Sequence, residues 1–199
     1  MGRLILVINP GSTSTKISVF EENNEVFTKT LRHTNEELAP FSDVISQKDF
    51  RRDIIKNVLA ENNIDFRKFA IIVGRGGVIK PIESGVYEVN DEMIKDIKEH
   101  KNGEHASNLG GVIAKEIACE IGGGVKAIIV DPVVVDELAP VARITGQKEI
   151  AKMSIFHALN QKAIAKLYAK EHGLKYNDLN LIVAHLGGGV SVGIHSKGR

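Results

Sequence analysis

The chain has 199 residues, 43% of them apolar and 26% charged, with a formal net charge of +1. The apolar share is ample for a packed core, and the near-neutral balance removes the electrostatic reason to seek nucleic acid or an anionic membrane. No stretch approaches the roughly 18 apolar residues of a bilayer span, and the single cysteine, Cys119, excludes a disulfide within the chain.

In chain order, "RLILVINP" predicts a buried strand, a short apolar run closed by turn residues. "KISVF" alternates and reads as its partner, and "EVFTKTLR", after the polar turn "EENN", reads as a third strand. Apolar residues at helical spacing run from about Asp43 to Glu61, where "ENNID" stops them. "FAIIVG" predicts another buried strand ending in "RGG", and "VYEVN" alternates again. "DEMIKDIKEH" predicts a short helix with Asp91 as its cap. "NLGGVIAKEIACEIGGG" is helical, closes on three glycines and places Cys119 as a buried core thiol. "VKAIIVDP" is a strand, "VVVDELAPVARITG" is less regular, and a long helix is expected from Ser154 to His172. "LNLIVAHLGGGVSVGIH" reads as strand, glycine turn, strand. Helices alternating with buried strands imply an α/β fold with a mixed sheet. "MGRLILVINPG" lacks an apolar segment followed by a cleavage site, so no signal peptide is read and a cytoplasmic protein is expected.

The stretches starting at Leu4 and Leu181 share one design: a buried strand, a tight turn of small residues, an alternating strand. They point to a duplicated domain whose copies face each other, or to two ordinary strands that happen to end in small turns. Little follows the second hairpin, so the chain reads as the front part of a longer protein, with lobes at 1–150 and 151–199.

The turn "NPGSTSTK" is not a Walker A loop. Lys16 lacks a preceding glycine, and "ISVF" continues as strand, not helix. A turn between strands can still present backbone N–H groups as an anion nest. Gly11 admits close approach, Ser12, Thr13 and Ser14 add hydroxyls, and Lys16 adds charge. Asn9, at the strand end, can reach a phosphate or a metal-bound water. "HLGGGVS" offers a second such bend through His185, Gly187, Gly188 and Gly189, with a flexible turn as the plain alternative. The glycines of "EIGGGVKAIIVD" end a helix and precede a strand, the reverse of a dinucleotide loop. Arg75, just past a buried strand, can grip a carboxylate or phosphate, or be a loop arginine. Ser107 or Asn108 reads as a helix N-cap. Asp131, at the carboxyl end of a strand, suits Mg²⁺ through water, or an Asp-Pro turn. His157 could steady charge on a phosphoryl group or be a core histidine. His33, His100, His172 and His195 lie in polar stretches and receive no role. No zinc-binding spacing is present.

The motifs "INPGSTSTK", "VGRGG", "GEHASNLG", "VVDPVVVDEL", "SIFHALNQK" and "VAHLGGGVSVG", in that order, resemble the butyrate kinase branch of the acetate kinase family. That family is similar in core to sugar kinases, the 70-kDa heat-shock chaperones and actin. The resemblance implies duplicated actin-like, ribonuclease H-like α/β lobes with mixed sheets, the second lobe truncated here. It implies ATP with Mg²⁺ as cofactors and a short-chain carboxylic acid as substrate, giving an acyl phosphate. The bend from Asn9 to Lys16 matches the first phosphate motif and "HLGGGVS" the second. His157 matches the histidine that stabilises the transferring phosphoryl group, and Asp131 the acidic residue organising Mg²⁺. Arg75 matches the substrate arginine, though acetate kinases write "RVVHGG" where this chain has "VGRGG". "FHALNQ" replaces the acetate branch's "FHGTSH", which favours a longer acid, and Val133 to Val135 could line an aliphatic slot or be plain core. The resemblance also implies a homo-oligomer when full length, and inactivity of the 199 residues alone. A sugar kinase and a non-catalytic actin-like nucleotide-binding module are the rival readings.

Overall fold

The run Leu4–Pro10 forms β1, and β2 (Ser14–Glu21) and β3 (Asn24–Arg32) return beside it as an antiparallel meander. Leu6, Ile8, Ile17 and Val19 are buried, whereas β3 is an edge strand that buries Leu31 and keeps its lysine and glutamate in solvent. The chain, a computed structural model describing residues 3–187 and 189–199, continues into α1 (Asn35–Leu38), started by a Thr34–Glu37 capping box. α2 (Lys48–Glu61) buries Arg51, Ile55, Val58 and Leu59 as one stripe. It stops where the Asn62 side chain donates to the Val58 carbonyl and Asn63 turns left-handed at φ 58°.

β4 (Phe69–Arg75), β5 (Val86–Glu88), α3 (Asp91–Lys98), α4 (Asn108–Ile121) and β6 (Lys126–Val130) complete a six-stranded mixed sheet of order β3-β2-β1-β4-β6-β5. β1, β4 and β6 are mutually parallel neighbours, and β5 closes the far edge antiparallel. α4 lies on one face, where Leu109, Val112, Ile113 and Ile117 meet the buried Leu6, Ile8 and Ile72. Each such side chain contributes about 1.5–3 kcal/mol. The opposite face, with Ile5, Val7, Ile71, Val73 and Ile128, is half-buried. α4 can sit this close because two glycines touch. A Cβ on Gly74 would stand 2.2 Å from the Gly110 carbonyl oxygen, and one on Gly110 2.4 Å from that of Arg75.

The chain forms two compact units, Met1–Ile79 with Val86–Val130, and Lys80–Gly85 with Asp131–Arg199. In the second, α5 (Ala158–Glu171) packs against the hairpin of β7 (Asn180–Leu186) and β8 (Val190–Ser196). Ala165, Ala169 and Tyr176 form its core with Leu179, Leu181 and Val183. Strand alternation sends Ile182, Leu186, Val190, Val192 and Ile194 to the other face, each 62–78% exposed. Among the described residues, no helix is long and apolar enough to cross a membrane.

Several local expectations change. The long helix begins at Ala158, not Ser154, because the preceding segment pairs elsewhere: Ser154 Oγ donates to the Val135 carbonyl and Phe156 N to that of Val133. α3 is capped by Asn90, whose Oδ1 accepts from Met93 N at 2.8 Å. Asp91 is the first helical residue, where its charge favours the helix dipole. Ser107 occupies the N-cap position of α4, as read, but makes no side-chain capping bond. Asn108 instead accepts from Val78 N at 2.7 Å and donates to the Gly103 carbonyl at 3.1 Å, pinning the loop after Arg75. Cys119 is exposed, since it falls past the stripe of Val112, Ile113 and Ile117 that faces the sheet. His33 and His195 are buried, each hydrogen-bonded to buried polar side chains. Val134 and Val135 are buried, in line with the core alternative for that run.

Candidate functional site

In the first unit, strand register brings together residues far apart in sequence. Asn9 and Lys16 are cross-strand partners on the exposed face of the β1–β2 hairpin, and paired residues share a face. Arg75, at the end of β4 and parallel to β1, donates from Nη1 to Asn9 Oδ1 at 3.2 Å. Amide and guanidinium thus meet beside the bend, with Lys16 opposite Asn9 in register, where Ser12 and Thr13 are exposed and Ser14 is half-buried.

Behind the bend lies a residue to which the sequence reading gave no role. Arg51 of α2 donates from Nη1 to the carbonyls of Gly11 (2.8 Å) and Ser14 (3.0 Å) and to Thr15 Oγ1 (3.1 Å). Its Nη2 reaches the Ser12 carbonyl at 2.9 Å. Nε and Nη2 hold Gln47 Oε1. The remaining bend carbonyl, that of Thr13, accepts from His33 N at 2.9 Å. His33 Nε2 bonds Thr15 Oγ1 at 2.9 Å. Burial, helped by the nearby Arg51 charge, lowers the His33 pKa, and burial lowers that of Arg51, which stays charged. A sequence signal did exist: an arginine at the head of the apolar stripe Arg51, Ile55, Val58, Leu59 is out of place on a core-facing helix side.

In the second unit, His157 is the residue immediately before α5. Its ring stacks on His185 of β7, centroids 3.7 Å apart, and its Nδ1 bonds Ser191 Oγ at 2.9 Å. The Asn160 amide donates to His185 Nδ1 at 2.8 Å. Gly189 lies against His157, a Cβ there standing 3.2 Å from Cε1. Gly187 is exposed in the bend, and Gly188 lies outside the described residues. A buried relay continues from Ser191. Gln161 Nε2 donates to Ser191 Oγ at 2.9 Å and its Oε1 accepts from His195 Nε2 at 3.1 Å. His195 Nδ1 accepts from the Tyr176 hydroxyl at 2.7 Å. Burial, then the Lys162 charge, lowers the His195 pKa, while burial raises that of Tyr176. Gly193 makes room for this relay: a Cβ there would lie 2.4 Å from Gln161 Oε1.

Asp131 is 5% exposed with φ 39°. Its Oδ1 accepts from Ser84 Oγ at 2.7 Å and Gly85 N at 2.8 Å, so this carboxylate ties a turn. Nearby in sequence, Glu137 accepts from Ser84 N and from the buried Lys162 at 2.6 Å. Among the described residues, no three acidic, histidine or cysteine side chains gather as a metal cage.

No family model matches the chain. It is 56% identical over 195 residues to butyrate kinase 1 of Clostridium acetobutylicum, covering 98% of this chain and 54% of that protein. It is 55% identical over 199 residues to a probable butyrate kinase of Clostridium botulinum, covering 100% and 56%. The chain therefore spans about half the length of the curated relatives it matches. Among solved structures, acetate kinase from Porphyromonas gingivalis superposes with a TM-score of 0.71 at 17% identity, over 99% of this chain and 56% of that one. This likeness carries the fold alone, that of an acetate kinase. Across its length the chain is thus similar in sequence to butyrate kinases and in fold to an acetate kinase.

Proposed function

We propose that the protein carrying this chain is a butyrate kinase. It moves the γ-phosphoryl group of ATP to the carboxylate of butyrate or a similar short-chain acid, reversibly, giving an acyl phosphate and ADP. The observation that supports this reading most is the 56% identity to butyrate kinase 1 across 98% of the chain.

The acid is ionised at pH 7, so no general base is required. Catalysis is then positioning and charge neutralisation between two anions. Lys16, the hydroxyls of Ser12, Thr13 and Ser14, and the bend amides bind phosphate. Their fit rests on a bend whose carbonyls are held by Arg51 and His33. Arg75 holds the carboxylate or the transferring group, and His157 donates to its equatorial oxygens. His185, Gly187, Gly188 and Gly189 contact nucleotide phosphate. Mg²⁺ bound with the nucleotide supplies further neutralisation at the distal phosphates. Asp131 and Asn9 are assigned to that ion. Oδ1 of Asp131 accepts from Ser84 and Gly85, and the carboxylate would supply its negative charge to the ion when bound.

In this reading residues 1–150 form the first lobe and 151–199 open the second. The full protein is a cytoplasmic homo-oligomer that needs neither nucleic acid nor membrane. Hydroxylamine trapping tests the reaction. The full protein with ATP, Mg²⁺ and butyrate yields butyryl hydroxamate, because an acyl phosphate is intercepted. Phosphorylation of a sugar hydroxyl without hydroxamate would instead make it a sugar kinase. Nucleotide binding or hydrolysis with no acyl or sugar transfer would make it an actin-like module.

A further inference from the structure

Arg51 is 1% exposed, and among the described residues it has no carboxylate partner. A buried cation without a counter-ion is costly unless its donors are satisfied. Here the acceptors are the carbonyls of Gly11, Ser12 and Ser14, the Thr15 hydroxyl and Gln47 Oε1. The first three are 37 to 40 residues away in sequence and all belong to one bend.

A trans peptide unit points its C=O and the following N–H in opposite directions. Drawing the Gly11 carbonyl towards Arg51 turns the Ser12 N–H away from it. Drawing the Ser12 carbonyl inward does the same for the Thr13 N–H. His33 holds the Thr13 carbonyl too, so the orientation is fixed at three consecutive units. The bend therefore sorts its polarity, with the Gly11, Ser12 and Ser14 oxygens towards Arg51 and the Ser12 and Thr13 N–H groups away from it, above a positive charge that among the described residues has no carboxylate partner. Such a concavity of successive N–H groups binds anions.

We infer that Arg51 is the positioning residue of the first bend: it orients the Ser12 and Thr13 amides, and adds its charge, for the phosphoryl oxygens of the nucleotide. This rests on the function proposed above. The carboxylate substrate has no part in it, so the inference predicts an effect on nucleotide binding and little on the acid. Lysine in place of Arg51 keeps the charge but has no planar fork to span three carbonyls.

The test uses the full protein and Mg·ATP as the probe. Arg51→Lys and Gln47→Leu are compared with wild type by calorimetric Kd for Mg·ATP, KM for butyrate, hydroxamate yield and thermal midpoint. Arg51→Lys raises the nucleotide Kd about ten- to a hundredfold, the loss of one or two charge-assisted bonds, while KM for butyrate stays within about twofold. Gln47→Leu, which removes the oxygen that aims the guanidinium from below, raises Kd less and in the same direction. For Arg51→Ala, guanidinium at low millimolar concentration restores part of the affinity. An Arg51→Lys variant with a lower thermal midpoint but wild-type nucleotide affinity overturns the inference and leaves Arg51 a structural strut. If that variant does not fold, unchanged nucleotide affinity in Gln47→Leu overturns it equally. A wild-type protein that binds Mg·ATP in an Arg51-dependent way but yields no hydroxamate sinks the carboxylate reaction and keeps the inference. Absence of nucleotide binding by the wild type overturns both.

Discussion

His157 and His185 lie face to face in the second unit, ring centroids 3.7 Å apart and planes 6° from parallel. The stack fixes the plane of the His157 ring, and Ser191 fixes its Nδ1 edge. Ser191 Oγ also accepts from Gln161 Nε2, so one hydroxyl ties the ring edge to a buried amide. In the proposed reaction a ring held in this way donates towards a phosphoryl oxygen. Substitution His157→Ala in the full protein lowers kcat for acyl phosphate about 10²–10³-fold, the cost of losing one transition-state donor. Nucleotide Kd stays near wild type. Turnover close to normal in the hydroxamate assay would remove His157 from the chemistry.

The relay behind His157 is tight enough to be probed by one methyl group. In Gly193→Ala the new Cβ meets Gln161 Oε1, now 2.4 Å from where it would stand. Gln161 is fully buried and must shift, releasing Ser191 and His195 together. The variant loses about 1–3 kcal/mol of stability and turns over more slowly. Thermal melting and steady-state rates check the pair of effects. A melt shift with an unchanged rate would separate the relay from His157.

The same buried histidines make stability depend on pH. His33 and His195 both have folded pKa values below the ordinary 6.5, burial being the main cause in each. The unfolded chain therefore takes up protons that the folded chain refuses. The associated stability is complete above about pH 6.5 and falls as pH drops towards the folded values. Denaturant midpoints measured on either side of pH 6.5 should decline on the acid side. His195→Gln and His33→Gln each flatten that decline. A midpoint rising on acidification would contradict the sign.

The contact between Gly74 and Gly110 predicts a severe small-to-large effect. A Cβ at residue 74 stands 2.2 Å from a helix carbonyl, where only backbone displacement can relieve the overlap. Gly74→Ala costs about 3 kcal/mol, the upper part of the overpacking range. Because Arg75 follows directly and α4 lies against it, KM for the carboxylic acid rises as well. Equilibrium unfolding and KM on the surviving folded protein read the two consequences.

Much of the architecture is legible along the chain. "RLILVINP", "FAIIVG" and "VKAIIV" form strands because short apolar runs between turn residues leave few other choices. The two small-residue bends lie where "NPGSTS" and "LGGG" interrupt such runs, and the exclusion of a Walker A loop follows from β2 continuing past Lys16. These features depend on neighbours within a few residues, which is why local pattern suffices. Partnership across the fold is another matter. Arg51 reaches Gly11 over 40 positions, Arg75 reaches Asn9 over 66, and Asn108 reaches back to Val78. His33 and His195 lie in polar stretches of sequence that give them no role and are buried by packing, while Cys119 reads as core and is exposed by one step of helix phase. Burial and hydrogen-bond partners are set by what folds against a residue from elsewhere in the chain, and a lone sequence does not write down those distances. The order of elements was thus a local property, and the sorting of carbonyls from amides at the first bend was decided by an arginine on a distant helix.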